Sequence, residues 1–167
     1  TNVEALYLLG NFGVRAGADC VNTLTALSGT LPLNGTAEKD LPFYTGRITY
    51  EIPASRYAEC VDKSARRVKL RVSRAVGALT AVDDGERTQR LFCEPFEADV
   101  TGAVRAGRTL KLTLVNTRRN VFGPMHVLPA ECRICGPEHF VTAGDQWSDS
   151  YTFVPAGLGE VEFVSEK

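Results

Sequence analysis

The chain lacks an excess of charge of either sign, and it lacks any long apolar run. Its 167 residues include 19 basic and 20 acidic side chains, so its electrostatics give no reason to expect nucleic acid or an anionic membrane as a partner. No apolar stretch approaches the roughly 20 residues that a membrane-spanning helix needs. We therefore predict that the chain binds neither nucleic acid nor a membrane.

Motifs that would place catalytic groups are also missing. The chain has two histidines, His126 and His139, and no Gly-x-Ser-x-Gly nucleophile turn accompanies them. There is no glycine-rich phosphate loop, and no motif fixes a pair of carboxylates for glycoside hydrolysis. These absences predict a domain with no catalytic apparatus of its own.

The number of cysteines is odd, which limits disulfide formation. Five cysteines cannot all pair within one chain, and unpaired thiols are typical of a reducing compartment. The count slightly favours a cytoplasmic location and leaves secretion open.

Alternation of apolar and polar residues dominates wherever the sequence is regular. The clearest runs are Arg47–Ile52, Val68–Val72, Leu110–Leu114 and Val161–Phe163. Turn residues such as Asp83-Asp84-Gly85 separate the runs. Helical signals are limited to a short turn within Ser55–Ala65 and a second one after Asp99–Thr101. Many short strands joined by tight turns predict an all-β fold, either a β-sandwich or a jelly roll.

Three stretches together resemble the sugar-binding β-sandwich domain of family 2 glycoside hydrolases and their relatives. They are "LPFYTGRITYEI" (Leu41–Ile52), "FEADVTGAVRAGRTLKLTLVNTRRN" (Phe96–Asn120) and "WSDSYTFVPAGLGEVEFV" (Trp147–Val164). The resemblance implies a jelly-roll β-sandwich of the galactose-binding-domain-like type. In that family the catalytic acids lie in a separate (β/α)8 barrel of about 250 residues, which this chain is too short to contain.

The sequence shows no internal repeat and no low-complexity linker. We therefore expect residues 1–167 to form a single β-sandwich domain. The chain begins at Thr1 and enters the apolar run Ala5–Leu9 at once, which suggests a fragment of a larger multidomain protein. The expected partner is the catalytic domain of the same polypeptide, with a carbohydrate as a second partner.

The segment "VNTRRNVFGPMH" (Val115–His126) follows a predicted strand, where loops gather and ligands often bind. Guanidinium and amide groups can bond sugar hydroxyls, and aromatic rings can pack on a pyranose face. The candidate carbohydrate-binding residues are Tyr44, Arg118, Arg119, Asn120 and Trp147. The structural alternative is that the asparagines bond turn backbone while the arginines pair with Glu97 or Asp99.

A zinc site is another interpretation of the region that follows. His126, Cys132, Cys135 and His139 have the spacing H-x5-C-x2-C-x3-H, which offers two thiolates and two imidazoles for a tetrahedral ion. A disulfide between the two cysteines, or free thiols, is the favoured alternative, so we predict no zinc.

A structural calcium ion would need several closely spaced acids. Asp83, Asp84 and Glu86 meet that condition, but an Asp-Asp-Gly sequence between strands is first of all a hairpin turn. We therefore predict no bound cofactor.

The function predicted from the sequence is that of a noncatalytic, carbohydrate-binding-like or scaffolding domain of a bacterial glycoside hydrolase. Two alternatives stay open. One is a free-standing lectin-like module that binds glycans, and the other is a zinc-stabilised interaction domain built on the segment His126–His139.

Overall fold

The computed structural model describes residues 8–17, 21–35, 40–129 and 136–166. In this part of the chain the strands are β1 (Phe12–Ala16), β2 (Asn22–Ala26), β3 (Arg47–Ile52), β4 (Arg67–Val72), β5 (Ala75–Val76), β6 (Leu79–Asp83), β7 (Thr88–Leu91), β8 (Phe96–Asp99), β9 (Leu110–Val115), β10 (Gly157–Leu158) and β11 (Val161–Glu166). The helices are α1 (Ala54–Tyr57), α2 (Thr101–Ala106) and α3 (Arg119–Phe122), with a 3-10 turn at Pro137–His139. Every strand pair is antiparallel, which confirms the predicted all-β class.

The larger sheet contains four strands in the order β3-β9-β6-β7. Its central strand β9 is one of the predicted alternating runs, and Leu110, Leu112 and Leu114 on one face of it are fully buried. Lys111 and Thr113 alternate with these leucines and lie on the outer face. Period-two alternation buries one face of a strand and solvates the other, which is why this pattern predicts the strand correctly.

The smaller sheet contains three strands in the order β11-β4-β8. Val68, Leu70 and Val72 of β4 are buried and belong to the same hydrophobic cluster as the leucines of β9. Helix α2 adds Ala103 and Val104 to that cluster. The two sheets therefore share one core.

Charged side chains cover the outer face of the smaller sheet. Lys69 bonds Glu97 and Glu166, while Arg71 bonds Glu97 and Glu162. Hydrogen bonds from Arg71 and Lys69 lower the pKa of Glu97. Pairs this close to solvent contribute at most about 1 kcal/mol each, so stability depends mainly on the buried face.

The two packed sheets are joined differently along their two long sides. On one side the Gln89 side chain of β7 bridges to β8, because its Nε2 donates to Asp99 O at 2.8 Å and its Oε1 accepts from Asp99 N at 3.1 Å. On the other side the edge strands β3 and β11 flank an open apolar groove of about 680 Å³. Its apolar lining includes Leu33, Tyr50, Ile52, Val161 and Phe163.

The helical segments are short, as the sequence predicts. The turn expected within Ser55–Ala65 is α1, which begins at Ala54, and its Tyr57 is fully buried with the hydroxyl donating to Arg108 O. The turn expected after Asp99 is α2, which ends at Gly107 with a left-handed φ of 65°. No helix in the described ranges is long and apolar enough to cross a bilayer.

Strands β1 and β2 form a separate hairpin, which we call the arm. The arm packs mainly on itself, and its link to the body is at Asp40, whose carbonyl accepts from Val14 N at 2.7 Å. Gly13 faces Asp40 so closely that a Cβ there would lie 2.7 Å from the Cβ of Asp40. Of the predicted N-terminal run Ala5–Leu9, residues 5–7 lie outside the described ranges.

Candidate functional site

The predicted ligand loop begins where β9 ends and β3 starts, at one end of the larger sheet. Asn116 N donates to Gly46 O at 3.0 Å, and Asn116 Nδ2 donates to Tyr44 O at 3.1 Å. Asn116 is almost completely buried, with 6% of its surface exposed. This residue therefore bonds the turn backbone, as the structural alternative predicted, and it fixes the loop to the segment that carries Tyr44.

Asn120 connects the same loop to the C-terminal part of the chain. Its Nδ2 donates to Val154 O and its Oδ1 accepts from Val154 N, both at 2.9 Å. The Asn120 amide thus bonds the backbone of Val154 through a donor and an acceptor, as the backbone of a neighbouring strand would. Asn120 serves to hold two segments that are 34 residues apart.

The two arginines of the loop differ in their surroundings. Arg119 is partly buried, and its Nη1 donates to Pro124 O at 2.9 Å; burial lowers the pKa of its guanidinium. Arg118 is exposed at the N-terminus of α3. The predicted corner pairs with Glu97 or Asp99 are wrong, because Asp99 pairs with Arg67, and Glu97 pairs with Lys69 and Arg71.

A series of stacked rings runs along this loop. His126 stacks on Trp147 with centroids 4.6 Å apart and lies tilted against Tyr151 at 5.0 Å, and Tyr151 stacks on Phe153 at 5.4 Å. Phe43 packs edge-on against Tyr151 and Phe153, with centroids 5.3 and 5.2 Å apart. These contacts join Phe43 and Trp147 in one contiguous cluster, the aromatic cluster.

Backbone hydrogen bonds hold the aromatic cluster in place. Ser148 N donates to His126 O at 2.8 Å, and Thr152 N donates to Met125 O at 2.7 Å. The segment from Trp147 to Tyr151 is not a strand, and the pairing described for it is a single bridge between Val127 and Trp147. Trp147 and Tyr151 still face the same way, because both contact the His126 ring.

A groove of about 410 Å³ opens beside Trp147. Its lining is mainly apolar and comprises Val121, Phe122, Gly123, Pro124, Met125, His126, His139, Phe140, Val141, Thr142 and Trp147. Phe122 and Phe140 are 70% and 56% exposed, which is unusual for large apolar side chains. Neither residue was predicted. The available signal was the repeated Gly-Pro-x-His turn, at 123–126 and 136–139, because each turn has one of these phenylalanines beside it.

Both histidines of the zinc alternative line this groove. His126 Nδ1 lies 2.9 Å from Ser148 O, a carbonyl that can only accept. His139 Nδ1 lies 3.2 Å from Gly136 N and 3.3 Å from Glu138 Oε1. Cys132 and Cys135 lie outside the described residues. Within the described ranges no group of three or more His, Cys, Asp or Glu side chains is placed to hold a metal ion.

The acids considered for calcium form the hairpin turn between β6 and β7. Asp83 Oδ1 accepts from Gly85 N, and Asp83 Oδ2 accepts from Thr88 Oγ1. Asp84 Oδ1 accepts from the backbone N–H groups of Glu86 and Arg87, both at 2.9 Å. The Glu86 carboxylate bonds Arg108. These oxygens thus bond the chain itself, and Gly85 takes the φ of 87° that the tight turn requires.

Asp84 should make stability depend on pH. Burial raises the pKa of this carboxyl, but hydrogen bonds from Arg87 N and Glu86 N and the Arg87 guanidinium lower it by more, so the net pKa is below the usual range. A carboxyl with a lowered pKa in the folded state adds stability above the unfolded pKa of about 3.9, and that stability is lost as the pH falls through the folded pKa.

We expect Asp84→Asn to lower the free energy of unfolding by about 1 to 2 kcal/mol at neutral pH, because the ionised acceptor is lost while Oδ1 remains. Denaturant unfolding between about pH 5 and pH 3 should show a smaller loss of stability in the variant than in the native chain. Parallel pH curves for the two proteins would contradict this assignment.

The structure thus places the predicted sugar-binding residues at one end of the larger sheet, in two kinds of position. Trp147 lines the groove, while Tyr44 is exposed, with its hydroxyl donating to Arg47 O. Arg119 and Asn120 bond backbone carbonyls in the wall of the loop. Comparisons with protein-family models, with curated proteins and with solved structures found no match to the chain.

Proposed function

We propose that the chain is a noncatalytic domain of a larger glycoside hydrolase and that it braces the catalytic domain of the same polypeptide. The sequence resemblance to sugar-binding β-sandwiches supports the enzyme class. The observation on which the bracing role depends is the exposed apolar surface of the arm. When a soluble protein exposes a contiguous patch of large apolar side chains, that patch normally marks the surface on which a partner binds.

One face of the arm is apolar. The cross-strand pairs Phe12–Ala26 and Val14–Leu24 lie on it together with Ala16–Asn22, in which Asn22 is the polar exception, whereas Gly13–Thr25 and Arg15–Thr23 lie on the opposite face, beside Asp40. Leu24 is 53% exposed. The chain adjoining the hairpin exposes further large apolar residues: Leu8, Leu9, Val21 and Leu27. Covering a leucine of this kind contributes about 1.5 to 3 kcal/mol when its burial is complete.

The jelly-roll, galactose-binding-like form of the fold is also our proposal. From β3 to β9 the chain passes back and forth between the two sheets. β3, β6, β7 and β9 lie in the larger sheet, whereas β4 and β8 lie in the smaller one. Repeated crossing of this kind supports a jelly roll. It also brings the loops at the β9 end together, where such domains place their binding surfaces.

A second function, saccharide binding at the aromatic groove, is favoured by a separate observation. Phe122, Phe140 and Trp147 present aromatic surface around one groove, and apolar ring faces are the usual platforms for the C–H faces of sugars. In this proposal the predicted residue Trp147 provides the platform. Exposed Arg118, at the start of α3, is available for hydroxyl or carboxylate groups.

The bracing role predicts an asymmetric response of the arm to an introduced charge. In the full polypeptide, Leu24→Asp should weaken docking by about 2 kcal/mol, or roughly thirtyfold, because a carboxylate replaces a buried leucine. Thr23→Asp is the matched control, since it adds the same charge to the opposite face of the same strand. Limited proteolysis between the domains should be accelerated by the first variant and unchanged by the second.

The same proteins separate the two parts of the proposal. Equal proteolysis of both variants would overturn the bracing role. Failure of the full polypeptide to hydrolyse any member of a glycoside panel would overturn the enzyme class. In the isolated chain neither substitution should change the melting temperature by more than about 2 °C, because both sites are exposed.

A further inference from the structure

In the part of the chain that the structure describes, strand β3 is an edge of the larger sheet, and its backbone has a regular pattern there. Asn116 N donates to Gly46 O, and the antiparallel register continues from that bond, so residues 46, 48, 50 and 52 direct their backbone groups toward β9. Arg47, Thr49 and Glu51 therefore direct theirs toward the open edge. At that edge the Tyr44 hydroxyl donates to Arg47 O at 3.1 Å. An edge of this kind is a template for another strand.

The same three residues make this edge complementary to itself. Arg47, Thr49 and Glu51 all place their side chains on the outer face, where they line one shallow surface. When two copies of β3 pair antiparallel about a twofold axis at Thr49, Arg47 of each copy lies opposite Glu51 of the other. The two threonines then lie opposite each other. The residues that face the open edge are also those that become hydrogen-bonded pairs, so backbone geometry and charge select the same register.

We propose that the chain forms a twofold homodimer through β3, which joins two four-stranded sheets into one continuous sheet. The apolar groove beside β3 supports this partner. Tyr50 and Ile52 line the groove and are only half-buried. In the dimer Ile48 of one copy lies opposite Tyr50 of the other, on the inner face. The interface therefore combines a strand ladder, two pairs of opposite charges and apolar contacts, and it is independent of the proposed function.

The other edges do not offer a similar match. Ser73 N donates to Glu160 O, so Val161, Phe163 and Ser165 face the open edge of β11. Pairing β11 with itself about Phe163 places Val161 opposite Ser165, so this edge forms no pair of opposite charges. At the far end of the larger sheet, the Gln89 side chain of β7 is already bonded to the backbone of β8. A second copy of the chain consequently fits β3 better than these edges.

Charge reversal tests both the interface and its register. Sedimentation equilibrium of the purified chain should show a monomer–dimer equilibrium. Glu51→Arg and Arg47→Glu should each raise the dimer Kd about tenfold, because each places like charges opposite one another twice. The double variant R47E/E51R restores opposite charges and should return Kd to within about threefold of the native value. Asp145→Arg is the control, because it makes the same charge change as Glu51→Arg at an exposed loop position, and it should leave Kd unchanged.

Melting temperatures establish that each variant is folded. A native chain that is monomeric at every concentration overturns the proposal. If the native chain forms a dimer but neither single charge reversal changes its Kd, the interface lies elsewhere, and the proposal is also overturned. A double variant as weak as the single variants shows that Arg47 and Glu51 are not opposite each other, so the proposed register fails.

Discussion

Replacing Leu70 with alanine is expected to lower the free energy of unfolding by about 3 kcal/mol. Leu70 is fully buried on β4, the central strand of the smaller sheet, between Phe163 of β11 and Ala98 of β8. Its side chain belongs to the cluster that also includes Leu112 of the larger sheet. Alanine there removes buried methyl groups and leaves a cavity that paired strands on both sides cannot easily close.

Denaturant unfolding followed by circular dichroism and by the fluorescence of Trp147, the single tryptophan, measures the loss. The midpoint of thermal unfolding should fall by about 6 to 12 °C for a chain of this size. Leu24→Ala is the matched control, because the same side chain is 53% exposed on the arm and its removal should cost less than about 0.5 kcal/mol. Equal losses at the two positions would show that the sheets do not share the core assigned to them.

The parts of the fold that the sequence predicts correctly are those in which one strand face is buried and the other is not. β3 has the predicted bounds, and β4 and β9 differ from them by one residue. In each strand the alternating side chains report directly which face packs on the core. This rule points Ile48, Leu70 and Leu112 inward, and all three are buried. It also points Tyr50 and Ile52 inward, and these two are only half-buried.

Alternation along a strand does not predict how the two sheets are joined along the side where β7 faces β8. Gln89 bonds both backbone groups of Asp99, and nothing in its sequence neighbourhood distinguishes it from an ordinary surface glutamine. The arm was likewise not recognised, since its strands bury little and follow no core-facing pattern. Side-chain bonds to a distant backbone have no periodicity, so a periodic analysis cannot find them.

The sequence predicts a ligand loop after β9, and the structure places a groove beside that loop. The loop after β9 was recognised because polar residues follow an alternating run. Its partner segment, however, is joined to it by ring contacts of His126 with Trp147 and Tyr151, across about 20 residues of sequence. Asn120, expected to bond sugar or turn backbone, bonds the backbone of Val154 instead of a local turn. Phe122 and Phe140 were missed because isolated exposed aromatics leave no pattern in a single sequence.

The aromatic groove gives the largest functional effect that the structure predicts. If the groove binds a saccharide, Trp147→Ala should lower the affinity of the isolated chain roughly thirtyfold, since a central aromatic platform typically contributes about 2 kcal/mol or more. A glycan array identifies the oligosaccharide, and calorimetry with that oligosaccharide measures the loss. Phe140→Ala should also weaken binding, and because Phe140 is outside the stacked series of rings, it removes groove surface without disturbing the stack on His126.

Phe92→Ala is the control for these variants. Phe92 is 76% exposed and lies outside the residues that line the groove, so its removal should leave affinity unchanged. Equal loss in all three variants would indicate a general effect of removing exposed aromatics rather than a site. A flat array and flat calorimetry with the native chain would eliminate saccharide binding altogether.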